Sequence, residues 1–254
     1  MVIIKTDKEI QSMRAGGKIH ARILRMVCAR VVPGVSTGEL DQYAEDLCKE
    51  FNCKPAFKGY QPAGQYSPFP ATLCTSINDE IVHGIPSGDR ILQDGNVVSI
   101  DLGIEYEQVF LDGAVTVPVG TVSDEILAFL EDTKKSLMVG IHAAVAANTT
   151  GDIGHAIQSF VNKRYGIVKG LAGHGVGREI HEDPFIPNYG KPGQGTRLVP
   201  GMTVAIEPML TMGDPETDIL DDDWTFVTTD GSLAAHFEHT ILITDDKPEI
   251  LTVE

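Results

Sequence analysis

Three acidic residues stand inside or directly after apolar segments that have the composition of buried β-strands. Asp101 follows Val-Val-Ser-Ile, Glu207 follows Val-Ala-Ile, and Glu238 lies between Ala-Ala-His-Phe and Ile-Leu-Ile. A carboxylate that is buried without a partner costs several kcal/mol or loses its charge. Any one of them alone could be a strand-end acid that faces water. Several acids directed at one core instead predict a cation among them.

The chain also contains two related stretches. Residues 95–101 (Gly-Asn-Val-Val-Ser-Ile-Asp) and 201–207 (Gly-Met-Thr-Val-Ala-Ile-Glu) share the pattern Gly-x-x-Val-x-Ile-acid. A second similarity relates Thr-Gly-Glu-Leu at 37–40 to Thr-Gly-Asp-Ile at 150–153. A duplication would bring one strand and its acid from each half to a common axis. We therefore expect one catalytic domain over residues 1–254, with halves of roughly 7–120 and 121–250.

Composition limits the class of protein. With 254 residues, 42% of them apolar, the chain can bury a full core. A net charge of −16 argues against a surface that binds phosphates or anionic lipid, so we expect neither nucleic acid nor membrane as a direct partner. No apolar run is long enough to span a bilayer. We expect reduced thiols and a cytoplasmic location, because four cysteines show no paired metal-ligand spacing: Cys28, Cys48, Cys53 and Cys74.

The helix and strand signals alternate along the chain. Capping boxes at Thr6-x-x-Glu9 and Ser36-x-x-Glu39 predict helices that run to about Ala29 and about Phe51. Proline and glycine make residues 61–70 a loop. The remaining pattern predicts strands over 71–119, helices near 124–146 and 151–164, and strands again from about 167. Helices followed by strands, twice over, are typical of an α+β fold with helices outside a mostly antiparallel sheet.

A hairpin is predicted around the second acid of the first half. If Tyr106 and Glu107 form its turn, Asp101 lies directly opposite Asp112. Opposed residues point to the same face, with Cβ atoms roughly 4.5–5.5 Å apart. Two carboxylates at this short distance repel each other unless a cation lies between them.

Histidines supply a nitrogen ligand. His174 lies among three glycines, and His181 follows in the same segment. One imidazole with four carboxylates suits divalent Mn, Fe or Co, and also Zn, better than it suits Mg or Ca. Two histidines flank Glu238, and the sequence leaves their role open: His236 and His239. Histidines on predicted helices are expected at the surface or in helix packing: His20, His142 and His155.

Short motifs containing these residues recur in order along nearly the whole chain: His83-Gly84-Ile85-Pro86, Ser99-Ile100-Asp101, Leu111-Asp112, Gly173-His174-Gly175-Val176-Gly177, His181-Glu182-x-Pro184, Pro200-Gly201-Met202-Thr203, Ile206-Glu207-Pro208-Met209 and Glu238-His239-Thr240. The series resembles that of the type I methionine aminopeptidases from near Thr6 to Val253. The resemblance implies the pita-bread α+β fold, in which two pseudo-symmetric halves enclose a dinuclear metal site.

The resemblance also implies a ligand set. Asp101 and Asp112 would hold one metal, and His174 and Glu207 would complete the other with Asp112. Asp112 and Glu238 would bridge both ions. The implied cofactors are two divalent ions, Co, Mn, Fe or Zn, which together can acidify a water.

Catalytic and substrate roles follow from the same resemblance. Glu207 would move protons, His181 would donate to the developing oxyanion, and His83 would meet the scissile nitrogen or its neighbour. For both histidines the alternative is a structural role. Residues corresponding to the methionine side-chain pocket are Tyr60, Phe69, Cys74 and Trp224. The chain departs from the family pattern in three features that leave the pocket's shape open: Phe57 in place of a small residue, Ile180 in place of an aromatic one, and a longer loop between Tyr60 and Phe69.

The implied function is a metal-dependent aminopeptidase that removes the initiator methionine when the second residue is small. Its partners would be the N-termini of nascent polypeptides, with transient ribosome association, and we expect a monomer. Xaa-Pro peptidases of the same fold are the alternative enzyme, but they typically carry an extra N-terminal domain for which this chain has no room. A non-catalytic binding module on this scaffold typically lacks metal ligands, and all five are present here.

Overall fold

Pairs of helices and groups of strands alternate along the chain, as expected. The computed structural model describes residues 2–254. Its helices are α1 (Asp7–Cys28), α2 (Thr37–Glu50), α3 (Asp124–Ala143) and α4 (Thr150–Val161). Its strands are β1 (Lys54–Pro55), β2 (Leu73–Ile77), β3 (Glu80–Val82), β4 (Val97–Tyr106), β5 (Val109–Pro118), β6 (Gly166–Ile167), β7 (Gly173–Gly175), β8 (Glu182–Ile186), β9 (Thr203–Ile206), β10 (Met209–Thr211), β11 (Thr217–Ile219), β12 (Phe226–Thr228), β13 (Ala234–His236), β14 (His239–Leu242) and β15 (Glu249–Ile250).

Both predicted capping boxes form, and they set where α1 and α2 begin. The Thr6 hydroxyl accepts the N–H of Glu9, and the Glu9 carboxylate accepts the N–H of Thr6 at 2.7 Å. Ser36 and Glu39 make the same reciprocal pair at the start of α2. These contacts satisfy backbone donors that a helix start leaves free. The loop predicted at 61–70 contains neither helix nor strand.

The strands of residues 2–254 pair antiparallel throughout, in four hydrogen-bonded sheets. One has the order β1-β4-β2 with β5 also on β4, and a five-stranded sheet has the order β15-β14-β9-β7-β8. Two three-stranded sheets have the orders β13-β10-β6 and β11-β12-β3. Each large sheet packs against one helix pair, and the central strands β4 and β9 are buried on both faces. Within the described residues no helix combines the length and the apolarity needed to cross a bilayer.

Two apolar cores lie between the helix pairs and the sheets. The first core joins α1 and α2 to β4, and the second joins α3 and α4 to β9 and β14. Fully buried residues of the first include Met13, Ile23, Leu40, Ile100 and Leu102. Those of the second include Phe129, Ile153, Ile157, Val204, Ile206 and Ile241.

The repeated Thr-Gly-acid segments occupy equivalent places. Ser36 and Thr149 both precede helices with capping boxes. Each also forms an isolated antiparallel bridge, Ser36 with Ile91 and Thr149 with Arg197, to the segment before the repeated strand. The division of one domain into halves of roughly 7–120 and 121–250 stays a prediction.

The predicted hairpin turn lies one residue too early, so each predicted cross-strand partner is wrong by two positions. The turn consists of Glu107 and Gln108, with φ of 49° and 67°, so Asp101 pairs with Ala114 and Asp112 pairs with Gly103. Two positive φ values define the type I′ turn that matches strand twist. Neither residue is the asparagine or glycine that usually announces such a turn. Because the partner shifted by two positions, the side chains of Asp101 and Asp112 still lie on one face, as diagonal neighbours.

Candidate active site

The acids of the two halves meet because β5 hydrogen-bonds to the chain between β13 and β14. Ala114, opposite Asp101 on β4, exchanges backbone hydrogen bonds with Glu238. The N–H of Asp112 donates to the Thr240 hydroxyl at 3.0 Å, and that hydroxyl donates to the Asp112 carbonyl at 2.8 Å. These buried contacts place Asp101, Asp112 and Glu238 side by side at the junction of the halves.

The five-stranded sheet brings the remaining candidates to the same place. His174 on β7 is paired with Ala205 on β9, and Ala205 is paired with Thr240 on β14. Glu207 directly follows β9.

The five predicted metal ligands form one cluster. His174 Nε2 lies 3.6 Å from Glu207 Oε1, 3.8 Å from Asp112 Oδ2 and 3.9 Å from Glu238 Oε1. Ligand atoms of His174, Glu207 and Glu238 all lie within 4.8 Å of one another, and so do those of Asp101, Asp112 and Glu238. The two groups share Glu238, so the candidate ligands form one continuous cluster.

Two carboxylate oxygens of the cluster are buried without a partner. Asp101 Oδ1 and Glu238 Oε1 have no hydrogen-bond partner among the described residues. Burial, with the neighbouring acids, raises the pKa of Asp112 and Glu238 well above the usual range. Burial raises the pKa of Asp101 to about 7. Unpaired buried carboxylates of this kind are explained by cation binding, and four oxygen donors with one imidazole suit Mn, Fe, Co or Zn.

Metal binding should therefore be visible in stability. An unfolded aspartate has a pKa near 3.9, so metal-free folded protein keeps a proton on Asp101 that unfolded chains lose, and raising the pH from about 4 to 7 lowers the free energy of unfolding. Mn²⁺ at about 100 times its Kd adds about 2.7 kcal/mol, or roughly 5–10 °C in Tm. We expect the full rise at pH 7.5 and a smaller one at pH 5, where protons compete. Thermal melts with Mn²⁺ or EDTA measure it.

The matched variants are Asp101→Asn, which should reduce the metal-dependent rise, and exposed Asp89→Asn, which should keep it. A rise in Tm that is equal at both pH values and in both variants would contradict metal binding by this cluster.

Two further predicted histidines lie at the mouth of the cluster. The His181 ring centroid is 4.4 Å from that of His174, and the Tyr60 hydroxyl is 2.8 Å from His181 Nδ1. Although His181 is exposed as a residue, desolvation of its ring and then the neighbouring His174 and His83 lower its pKa to about 3. A neutral ring that accepts the Tyr60 O–H at Nδ1 carries its proton on Nε2. In that tautomer the neutral His181 ring offers its Nε2–H as a donor.

His83 is held in an uncommon backbone conformation. Its φ is +60°, which costs a non-glycine residue energy and places the ring against Trp224 and Phe226, with centroids 6.2 and 5.8 Å away. Burial lowers the pKa of His83 to about 4. Such strain is characteristic of functional sites, where the surrounding structure holds the residue in place.

An aromatic cavity of about 220 Å³ opens onto the acids. Phe69 packs edge-on against Trp224 at 5.2 Å, and Phe57 packs edge-on against Phe69 at 6.5 Å. Cys74, on β2, is paired with Asp101 on β4, so both side chains point to the same face of the sheet. All four predicted pocket residues line this cavity, together with the predicted metal ligands: Tyr60, Phe69, Cys74 and Trp224.

The three features that depart from the family pattern lie at different distances from the cavity. Phe57 lines the cavity because Gly103 beneath it has no side chain: a Cβ there would lie 2.6 Å from the Phe57 ring. Ile180 is buried behind the cavity rather than lining it. Of the loop at 61–68, Pro62 reaches the cavity, and Gln65 donates to the carbonyl of Asp223 at 2.8 Å.

The sequence left the role of His236 open, and in the structure this histidine lies beside the candidate metal ligands. Its Nε2 lies 3.2 Å from Glu207 Oε2, and it lines the same cavity. Although burial lowers it, the carboxylates of Glu207 and Asp101 raise the pKa of His236 above its usual value. The signal was its position two residues from Glu238 in an extended segment, which directs both side chains the same way. His239 instead contacts Thr252 at 2.9 Å, and His20 is buried under α1 at the Leu102 carbonyl.

Acids and imidazoles grouped for cation binding beside a closed aromatic pocket, on this antiparallel fold, define a metal-dependent hydrolase. The profile of Metallopeptidase family M24 matches residues 11–245, and the chain belongs to this family. It is 47% identical to the methionine aminopeptidase of Clostridium acetobutylicum over 100% of this chain and 99% of that protein. It is 45% identical to methionine aminopeptidase 1 of Bacillus subtilis, with 99% of each covered. The resemblance found in the sequence is confirmed.

Solved structures agree. The crystal structure of methionine aminopeptidase from Thermotoga maritima superposes with a TM-score of 0.95 at 42% identity, over 100% of both chains. The prolidase of Pyrococcus horikoshii has a TM-score of 0.77 at 23% identity, and this chain covers 65% of it. The second likeness shows the fold alone. The predicted α+β pita-bread fold is confirmed.

Proposed function

We propose that this chain is an aminopeptidase that removes N-terminal methionine from proteins and peptides with a small second residue, using two divalent ions among Co, Mn, Fe and Zn. The observation that carries the proposal is the aromatic cavity, which ends directly at the cluster of carboxylates. A bound methionine would therefore present its amino group and first peptide bond to the metal-binding residues.

The cavity suits a thioether side chain. Phe57, Phe69 and Trp224 give it apolar walls, and about 220 Å³ is enough for one unbranched side chain. Burying such a side chain gains roughly 1.5–3 kcal/mol and needs no hydrogen bond. A charged side chain would lose its hydration without gaining a partner there.

The carboxylates and His174 form the proposed cation sites. Asp101, Asp112, His174, Glu207 and Glu238 would hold the ions. When bound, the ions supply Lewis acidity and lower the pKa of a water in the site.

Proton movements belong to the side chains. Glu207 takes a proton from the attacking water as the water oxygen bonds to the carbonyl carbon of the first peptide bond. Glu207 then delivers a proton to the leaving nitrogen as the C–N bond breaks. His236, 3.2 Å away, orients the Glu207 carboxylate. His181 donates from Nε2 to the carbonyl oxygen as negative charge develops. His83 contacts the scissile nitrogen from the opposite side of the mouth.

Substrate choice tests the function. The second residue would lie at the mouth between His83 and His181, which leaves little space for a long side chain. We expect Met-Ala and Met-Gly peptides to be cleaved well, Met-Leu and Met-Lys peptides poorly, and Leu-Ala roughly 10–100-fold more slowly than Met-Ala. Competition assays with product masses read by mass spectrometry measure these ratios.

Matched phenylalanine variants separate the pocket from general effects. Phe69→Ala should weaken the preference for methionine, whereas Phe185→Ala, at a side chain that is 59% exposed, should leave it unchanged. Equal rates for Met-Lys and Met-Ala would contradict the small second residue. Cleavage of Xaa-Pro bonds whatever the first residue would favour the proline-peptidase alternative.

The proposal extends to the cellular setting. It includes nascent N-termini as substrates, a transient ribosome association, a monomeric single domain and a cytoplasmic location. The free state of Cys28, Cys48, Cys53 and Cys74 supports a reducing compartment. The net charge of −16 argues that any ribosome contact is local.

A further inference from the structure

A buried ion pair lies behind His181. Lys5, in the segment before α1, places its ammonium 2.5 Å from Glu182 Oε2. The side chains are 1% and 2% exposed, in contrast to Lys54 and Glu105, at 73% and 26%. Burying two charges costs hydration that apolar residues of similar size would not lose, so such a pair adds little stability. Its specific contribution is to geometry.

Glu182 uses its second oxygen to hold the turn that ends in His181. Oε1 accepts the backbone N–H of Arg178 at 2.5 Å and that of Glu179 at 3.1 Å. The same residue begins β8 and is paired with Gly175, directly after His174. One carboxylate therefore receives donors from the N-terminal segment and from two successive backbone N–H groups of the turn.

Lys5 is itself fixed in place. Its backbone N–H donates to the carbonyl of Gly201 at 2.9 Å. Its side chain crosses Gly177, whose φ is +145° and where a Cβ would lie 2.3 Å from Lys5 Cε. The path of the lysine thus depends on a glycine in the histidine-bearing segment.

The His181 side chain itself has few contacts, although the turn is also tied to the start of α1 by the Arg178 guanidinium, which donates to Glu9 Oε1 at 2.7 Å. Its one side-chain hydrogen bond is with Tyr60, and its ring rests on that of His174. Because an oxyanion donor must lie within a few tenths of an ångström of its working position, the backbone of the turn sets its efficiency. We propose that Lys5 is a positioning residue: through Glu182 it fixes the turn at 178–182 and so aligns His181. This inference rests on the role proposed for His181.

The test compares Lys5→Met with Lys54→Met, the same change at an exposed ion pair. In Lys5→Met we expect kcat to fall about 10-fold with KM changed less than about 3-fold, at a temperature well below unfolding, since misaligning one donor costs part of its typical effect. Hydrogen–deuterium exchange at residues 177–182 should become at least about 10-fold faster, with α3 unchanged. Lys54→Met should alter neither.

Glu182→Gln keeps the size of the side chain, so it serves if Lys5→Met does not fold. It should lower kcat similarly, and the double variant should lose no more than the larger single effect, because both residues act through one contact. If both single variants melt earlier yet keep kcat within about 2-fold and normal exchange at 177–182, the pair is merely structural and the inference fails. If wild-type protein cleaves no methionyl peptide, the proposed function fails instead, and the exchange data still decide whether Lys5 orders the turn.

Discussion

Glu207→Gln is expected to lower kcat at least ~10²-fold, which corresponds to about 2.7 kcal/mol of transition-state stabilisation. Glutamine has the same shape but can neither take up the proton of water nor pass one to the leaving nitrogen. The carboxylate lies 3.6 Å from His174 and 3.2 Å from His236, at the end of the aromatic cavity. Initial rates on a Met-Ala peptide measure the loss.

Two controls give this result its meaning. Metal content should be determined for Glu207→Gln, so that slow turnover with bound metal can be distinguished from loss of an ion. Glu216→Gln makes the same exchange at an exposed loop position and should behave as wild type. Near-normal turnover in Glu207→Gln, or in wild-type protein after thorough chelation, would rule out the proposed chemistry.

His181→Ala is expected to lower kcat by ~10²–10³-fold with little change in KM, the usual cost of removing one oxyanion donor. Alanine removes the proposed Nε2–H donor together with the Nδ1 contact to the Tyr60 hydroxyl at 2.8 Å. Because the pKa of His181 is lowered to about 3, the wild-type ring stays neutral from pH 5 to 9. The pH profile of kcat should therefore show no inflection from His181 in that range.

His155→Ala provides the matched control, since His155 is an exposed histidine on α4. Metal analysis decides the role of His181. Loss of a metal ion in His181→Ala would show that this histidine is a metal ligand. Its ring lies close enough to Asp112 and His174 for that alternative. Unchanged kcat with intact metal would leave His181 a structural residue.

Local chemistry made much of the fold predictable. The capping boxes of Thr6 with Glu9 and Ser36 with Glu39 involve residues three positions apart, so neither needs the rest of the chain. The acids that follow apolar strands were also identifiable, because a buried unpaired carboxylate is costly in any fold. Family resemblance added the roles of His83 and His181, which spacing alone does not supply.

Contacts between distant residues needed the tertiary structure. The hairpin turn at Glu107 and Gln108 carries no glycine or asparagine, so its register was set by strand twist and packing rather than by turn residues. His236 entered the site because β13 lies beside β5, and Phe57 fits because Gly103 happens to face it.

The sequence by itself determined which side chains are chemically costly to bury and where helices begin, since both depend on residue type and near neighbours. Only the tertiary structure decided which of those side chains share one site. Lys5 and Glu182 are 177 positions apart, and Asp112 and Thr240 are 128 apart. Such pairs exist only in the folded chain, because their contact depends on packing and strand register and leaves no local pattern in the sequence.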